Sequence, residues 1–325
     1  MWERDGEQRE QGEGRIPKEN HVNAGPIVAG AALVGISAFT VALLRASRRW
    51  IVPPRVVIDP PGVDELEEAH FTSADGTPLF GLLLPRGEPA PAVMLLHGYQ
   101  RGIEETQSLG AQLHARGFTV FVFDFRACGR SGGRFTTIGR REPEDAAAAL
   151  AWLCERLGPD APVGVLGISM GGAVALDLAA ADSRVRAVVT DSAFATLMAA
   201  VRRRFAGLPR PVLPLYYLSM WAAEAQCRAR VRDVRPVEAA RRLRGTPVLL
   251  IHATADEVVP YSEALALAGA LDAPHCLWTI PGGQHAETRF ERPSEYLDRV
   301  SGFFHRHLTQ PLRSAREATG TPSQT

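Results

Sequence analysis

Blocks of hydrophobic residues alternate with more polar, helix-forming blocks along residues 65–309. Short runs rich in Val, Ile, Leu and Phe, such as PAVMLLHG, FTVFVFDFR and VGVLGIS, are typical of strands buried on both faces. Longer segments between them predict helices, two of which close at Gly117 and Gly158, and a hairpin is predicted around Asp75 and Gly76. Strands that alternate with helices indicate an α/β fold with a mostly parallel, doubly wound sheet.

Ahead of this domain, residues 25–44 (GPIVAGAALVGISAFTVALL) are apolar and carry no charge. About 20 apolar residues are enough to cross a bilayer, and Arg45, Arg48, Arg49 and Trp50 follow at once, as is typical of an interface anchor. A buried core helix would carry a polar stripe, and a signal peptide would begin with a basic segment. The run therefore predicts one transmembrane helix, and the arginines after it favour a single-pass protein whose C-terminal domain lies in the cytoplasm.

The remaining organisation follows from composition. Residues 1–24 and 310–325 are polar and predict disordered tails, and residues 45–64 predict a linker. A small helical cap inserted over the site is expected at about 195–243, where the pattern is least regular. Its segment LPLYYLSMW is apolar and aromatic. It could line an apolar pocket, touch a bilayer, or pack as a helix on the scaffold.

Composition excludes some classes of function. The chain has 325 residues, is 46% hydrophobic and has a formal net charge of zero, so nucleic acid is not an expected partner. The four cysteines are widely scattered without C-x-x-C spacing, so neither a metal site nor a disulfide framework is predicted. No metal ion or organic cofactor is expected.

Ser169 is enclosed by Gly167 and Gly171 in the segment VGVLGISMGGAVAL. The glycines could simply belong to a turn at the end of a strand. Alternatively, G-x-S-x-G forms a nucleophile elbow, in which a strand turns sharply into a helix with the serine at the strained apex. A buried strand precedes the motif and an Ala- and Leu-rich helix follows it, which favours the elbow. A Cβ at either glycine would then collide with the neighbouring strand and helix.

A serine nucleophile needs a base beside it and an acid that orients the base. On an elbow fold these follow in the order serine, acid, histidine. Asp256 follows the strand LLIHA, and His285 follows the next strand within the polar, glycine-rich segment PGGQHAET. Asp191, at the end of the strand after the elbow helix, is the alternative acid. Asp256 is preferred because its DEVVP turn leads into a helix.

Acyl transfer also needs hydrogen-bond donors for the developing oxyanion. Each donor stabilises the transition state by about 3 kcal/mol. One is expected from the backbone N–H of Met170, directly after the serine. The other is expected from the loop HGYQRG, where Tyr99 supplies the N–H.

The segments LLHGY, FDFRACGRSGG, GISMGG, HATADEVVP and GGQH, in this order, resemble the α/β-hydrolase superfamily. The resemblance covers residues 65–309 and is closest to the esterase, lipase and serine aminopeptidase-like branch, some of whose members carry an N-terminal membrane anchor. One departure is Ala253, where such proteins often have glycine. The resemblance implies an α/β-hydrolase fold and five site residues: Ser169 as nucleophile, His285 as base, Asp256 as orienting acid, and Tyr99 and Met170 as oxyanion donors.

Together these features predict a membrane-anchored serine hydrolase that cleaves carboxylic (acyl) esters through an acyl-enzyme, in the manner of a carboxylesterase or lipase. The expected partners are a small-molecule or lipid-like acyl substrate and a membrane, contacted through residues 25–44. Two enzymatic alternatives stay open, a serine peptidase or aminopeptidase and an acyl transferase. A catalytically silent hydrolase-fold scaffold is an alternative of a different class.

Overall fold

The computed structural model of the chain describes four stretches: residues 25–58, 66–87, 90–158 and 161–309, with the backbone alone for 25–32. The predicted tails, 1–24 and 310–325, lie outside them. The chain divides into two compact units, Met1–Ala42 and Leu43–Thr325. In the described part of the first unit, helix α1 (Gly25–Ile51, which continues into the second unit) exposes apolar side chains such as Leu33 and Val34.

Strands and helices of the second unit follow the alternation that the sequence predicts. The strands are β1 Glu67–Thr72, β2 Pro78–Leu84, β3 Ala92–Leu96, β4 Thr119–Asp124, β5 Val163–Ile168, β6 Val185–Asp191, β7 Val248–Ala253 and β8 His275–Ile280. The helices after α1 are α2 Ile103–Ala115, α3 Glu142–Leu157, α4 Met170–Ala181, α5 Leu197–Phe205, α6 Leu213–Cys227, α7 Pro236–Ala240, α8 Tyr261–Ala270, α9 Thr288–Glu291 and α10 Pro293–Leu308. Two 3-10 turns lie at Arg210–Val212 and Val231–Asp233.

The eight strands form one sheet in the order β1-β2-β4-β3-β5-β6-β7-β8. The pairs β1–β2 and β2–β4 are antiparallel, and every pair from β4 to β8 is parallel. Residues of β3, β4, β5 and β7 are all buried, as their continuous hydrophobic runs predict. The prediction of a mostly parallel sheet is confirmed.

Two separate hydrophobic cores cover the faces of the sheet. One contains side chains of α3 and α4, such as Leu150 and Val174. The other contains side chains of α2 and α10, such as Leu113 and Phe304. The sheet is therefore doubly wound, and its functional loops lie at the carboxyl ends of the parallel strands.

In the part of the chain that the structure describes, no helix is both long enough and apolar enough to cross a membrane. The transmembrane helix predicted over residues 25–44 is therefore not supported. The helix runs on past Leu44 through Arg45, Arg48 and Arg49 as far as Ile51.

The last turns of α1 belong to the second unit and pack against its helix α6, although the sequence places residues 45–51 in a linker. Ser47 and Ile51 are buried. The Trp50 indole N–H donates to Ser219 Oγ at 3.2 Å, and Gln226 Nε2 donates to Ser47 Oγ at 2.6 Å. These partners lie more than 150 residues away along the chain, so a local hydropathy pattern does not reveal the contact.

A helical insertion joins β6 to β7, which are neighbours in the sheet. It consists of α5, α6 and α7 with the two 3-10 turns, over the region where the sequence predicts a cap. Phe205 is buried at its centre and lies 5.7 Å from the Trp50 ring. A Cβ built on Gly139 would lie 3.1 Å from Val234 and 3.8 Å from Met170, so the insertion approaches the first turn of α4.

Candidate active site

Ser169 occupies a sharp turn between β5 and α4. Its φ of 52° and ψ of −112° lie in a region that non-glycine residues rarely adopt. The backbone holds it there, because the Ser169 N–H donates to the carbonyl of Asp191 at 2.7 Å and its own carbonyl accepts from Ala173 at 3.2 Å. A strained serine at a strand-to-helix turn is the geometry of a nucleophile elbow.

The glycines on either side of Ser169 permit close backbone contacts. A Cβ built on Gly167 would overlap the backbone of Gly171, and one built on Gly171 would overlap the carbonyl of Leu96. Side chains at these two positions are therefore excluded, and the end of β3 lies directly against the first turn of α4. This contact brings the loop after β3 next to the serine.

The structure brings Ser169, His285 and Asp256 together, although they lie in three different loops. His285 Nε2 lies 3.0 Å from Ser169 Oγ, and His285 Nδ1 lies 2.7 Å from Asp256 Oδ2. The Asp256 side chain is fully buried, whereas that of His285 is 20% exposed. A carboxylate at Nδ1 fixes the proton on that nitrogen and leaves Nε2 free to accept the hydroxyl proton.

Asp256 is oriented by its own turn. Its Oδ1 accepts the backbone N–H groups of Val258 and Val259 at 2.8 and 2.7 Å, which leaves Oδ2 directed at His285. The His252 ring also lies nearby, at 3.5 Å from Oδ2, and hydrogen bonds the Val259 carbonyl. The backbone of the DEVVP segment thus fixes the orientation of the Asp256 carboxylate.

Asp191, the alternative acid, has other partners. Its Oδ1 accepts from Ser192 Oγ and its Oδ2 accepts from the Tyr296 hydroxyl, both at 3.0 Å. The carboxyl is completely buried, and burial raises its pKa. Among the described residues, the histidine Nδ1 is bonded to Asp256 and not to Asp191.

The two expected oxyanion donors lie on the loops that the glycine contact brings together. Met170 N–H begins α4, where the helix dipole favours negative charge. Tyr99 lies in the loop after β3, and its hydroxyl donates to the Trp50 carbonyl at 2.5 Å. Within the described residues, neither backbone N–H has an acceptor. Both are therefore available to a substrate oxygen.

His97 fixes the start of this loop as a neutral imidazole. Its Nε2 accepts the Phe125 N–H at 3.0 Å, so its Nδ1 carries the proton and donates to the Gly98 carbonyl at 2.8 Å. Burial lowers the pKa of His97 to about 4. Protonation would break the bond to Phe125.

We therefore expect acid to destabilise the protein through His97. The unfolded chain binds this proton near the ordinary pKa of 6.5, and the folded chain only near 4. Stability is thus fully present above pH 6.5 and is lost as the pH falls towards 4, by about 3 kcal/mol. Denaturant unfolding across this range measures the loss. His97→Gln, which cannot titrate, should flatten the pH dependence, and an unchanged slope would contradict the assignment.

Residues that the sequence does not single out support the histidine loop. Ala286 has a left-handed φ of 56°, and both of its backbone groups are held by side chains. Its N–H donates to Ser192 Oγ at 3.0 Å, and its carbonyl accepts from Arg289 at 2.7 Å. Asp191 therefore acts on the loop through Ser192. In the sequence, the one signal for this supporting role of Ser192 is that it directly follows Asp191 at the end of β6.

Arg289 also connects the loop of His285 to the loop of Tyr99 after β3. Its guanidinium lies 3.5 Å from Glu105, and both side chains are 11% exposed. Glu105 in turn accepts the Gly98 N–H at 2.5 Å, and burial raises the pKa of its carboxyl. A buried ion pair thus joins the loop of the base to the loop of Tyr99. No spacing rule links residues so far apart in the sequence.

An apolar cavity lies between the helical insertion and the end of α1. Its volume is about 20 Å³, close to that of one water molecule, and its wall includes Ile138. The lining is almost entirely non-polar and includes Ile51, Val201, Met220 and Val231. Among the described residues, no cluster of His, Cys, Asp or Glu is arranged to hold a metal ion.

Comparison with known proteins agrees with this architecture. A family model described as the alpha/beta hydrolase fold matches residues 91–216, which include the elbow and the loop of Tyr99. YfhR, an uncharacterized protein of Escherichia coli, is 28% identical over 246 residues, covering 73% of this chain and 80% of YfhR. Rv2307c, an uncharacterized protein of Mycobacterium tuberculosis, is 29% identical over 289 residues, covering 86% and 94%.

Among solved structures, the chain is similar to the Pyrococcus furiosus esterase Pf2001. The TM-score is 0.68 at 27% sequence identity, and the match covers 80% of this chain and 98% of the esterase. A second crystal form of the same esterase gives a TM-score of 0.66 at 26% identity. The likeness thus spans nearly the whole length of the esterase.

Proposed function

We propose that this chain, which has the α/β-hydrolase fold and an esterase among its structural neighbours, hydrolyses carboxylic esters through an acyl-enzyme on Ser169. The single observation that carries the proposal is the continuous hydrogen-bond path from Ser169 Oγ through His285 to Asp256. The strained elbow and the two free N–H donors support it.

In the first half of the proposed reaction, His285 Nε2 takes the proton from Ser169 Oγ as the oxygen attacks the ester carbonyl carbon. The C=O electron pair moves onto oxygen, and the N–H groups of Tyr99 and Met170 stabilise the oxyanion. When the pair returns, the C–O bond to the alcohol breaks. The alcohol leaves with the proton from His285, and the acyl group stays on the serine.

In the second half, His285 takes a proton from water as the water oxygen attacks the acyl carbon. The tetrahedral intermediate collapses, Ser169 Oγ leaves, and His285 returns the proton to it. The carboxylic acid is released and the free enzyme is restored. Asp256 stays ionised throughout and stabilises the imidazolium that forms twice in each cycle.

The likeness to an esterase favours a carboxylic ester as the substrate. We infer a small-molecule or lipid-like acyl ester as the substrate class, and hydrolysis rather than transfer because water is the simplest acceptor. An activity of the carboxylesterase or lipase type follows.

A substrate panel tests the proposal. We expect purified protein to hydrolyse p-nitrophenyl esters of increasing chain length and to leave aminoacyl p-nitroanilides uncleaved, with kcat/KM measured for each. Cleavage of the anilides alone would favour a peptidase. Acyl transfer to an added alcohol at the expense of hydrolysis would favour a transferase. No turnover together with no fluorophosphonate labelling of the folded protein would support a silent scaffold.

A further inference from the structure

The helical insertion presents an aromatic, apolar surface on α6 and the turn before it. We call this surface the aromatic face, and it consists of Val212, Leu215, Tyr216, Tyr217 and Trp221. Trp221 is 64% exposed and Leu215 is 51% exposed. From its start at Leu213, α6 carries no charged residue until Glu224. Several large apolar side chains exposed on one short segment, with an indole among them, mark an interaction site more often than single exposed residues do.

Contacts with buried side chains hold the aromatic face in a fixed arrangement. The buried ring of Phe205 lies 5.6 Å from the ring of Tyr216 and 5.2 Å from that of Tyr217. Ser219 Oγ accepts from the Trp50 indole and donates to the Tyr216 carbonyl at 2.8 Å. These contacts hold α6 against Phe205 and Trp50, so the exposure of its aromatic side chains does not come from a loose element.

The surroundings of the aromatic face are strongly basic. Arg202, Arg203, Arg204 and Arg210 are exposed, and within the described residues none of them forms a salt bridge. Glu224 is the single acidic residue in 197–227. Its Oε1 is already engaged by the Val231 N–H at 2.7 Å, so within this segment these arginines are not balanced by a free carboxylate.

Tryptophan and tyrosine beside arginine is the combination found where proteins meet the headgroup region of a bilayer. The rings enter the boundary between headgroups and acyl chains, and the guanidinium groups bind lipid phosphates. A second copy of the chain fits less well. A symmetric dimer pairs a surface with itself, and the unpaired arginines of the two copies would then face one another.

We propose that the aromatic face and its arginines dock this protein onto the surface of an anionic lipid bilayer. The docked element is the insertion, which contacts Trp50, and the Trp50 carbonyl accepts the hydroxyl of Tyr99. The insertion is therefore linked through Trp50 to the loop of Tyr99. Docking does not depend on Ser169, so Ser169→Ala should bind vesicles as well as the unaltered chain does.

Vesicle binding of the full chain tests this site. We expect co-sedimentation with phosphatidylcholine vesicles that contain phosphatidylserine, and much less with phosphatidylcholine alone. Changing Arg202, Arg203 and Arg210 together to Gln should weaken the binding about 100-fold. The matched control changes Arg86, Arg134 and Arg306 to Gln, which removes the same charge from exposed positions that, within the described residues, also form no salt bridge. The control should bind as the unaltered chain does.

Brominated phosphatidylcholine locates the contact, because bromine quenches tryptophan that enters the acyl region. Quenching should be large in the unaltered chain and mostly lost in Trp221→Phe, which still binds. Quenching that persists in Trp221→Phe would show that another part of the chain holds the vesicle, and would overturn the proposal. So would equal loss of binding in the two arginine variants. Sedimentation velocity without lipid tests the alternative, since a dimer that Trp221→Ser dissociates would assign the face to a second copy.

Discussion

Ser169→Ala is expected to lower kcat for ester hydrolysis by about 10⁶-fold, because removal of the nucleophile removes the acyl-enzyme route. The residual rate would come from the oxyanion donors and substrate binding alone. Ester turnover, the burst of product that reports acyl-enzyme formation, and fluorophosphonate labelling measure the effect. All three should be lost together, since each requires Ser169 Oγ next to His285.

The fold should survive this substitution. Alanine is smaller than serine, and the contacts that hold the turn are backbone bonds, such as the one from Ser169 N–H to the Asp191 carbonyl. Ser108→Ala is the matched control, because Ser108 is exposed on α2 and, among the described residues, its hydroxyl hydrogen bonds Gln112 alone. It should leave labelling and turnover unchanged. Labelling that persists in Ser169→Ala would place the reactive nucleophile elsewhere.

The sequence predicts the elements around Ser169 well because their determinants are local. A glycine two positions on either side of a serine, between a buried strand and a helix, specifies the turn, and His285 and Asp256 follow strands in the expected order. Such motifs describe strand ends, and the carboxyl ends of parallel strands necessarily meet at one edge of a sheet.

The supporting contacts could not be predicted in this way. Ser192 bonds Ala286, which lies 94 residues further along the chain, and neither residue type suggests the role alone. The end of α1 is assigned to a linker for the same reason. A hydropathy pattern reveals the apolar run but not the distant partners of Ser47 and Trp50. Tertiary packing, rather than local pattern, decides both.

The two candidate acids can be separated by matched substitutions, since both are buried carboxyls near strand ends. Asp256→Asn should lower kcat about 10⁴-fold, because an amide NH₂ facing His285 Nδ1 forces the imidazole into the tautomer that cannot accept the serine proton. The Oδ1 bonds to Val258 and Val259 can be kept by asparagine, so the turn should stay folded. Steady-state kinetics, with thermal unfolding as the check on folding, measure the loss.

Asp191→Asn should lower kcat far less, by at most about 100-fold. Asp191 acts on the histidine only through Ser192 and Ala286. The loss should be reproduced by Ser192→Ala, which removes the same link and leaves the Asp191 carboxyl in place. No neighbouring substitution should reproduce the effect of Asp256→Asn in this way, since Asp256 bonds the imidazole directly. A larger loss in Asp191→Asn than in Asp256→Asn would reverse the assignment. It would mean that the working enzyme turns His285 towards the end of β6, and that the Asp256 contact belongs to a resting arrangement.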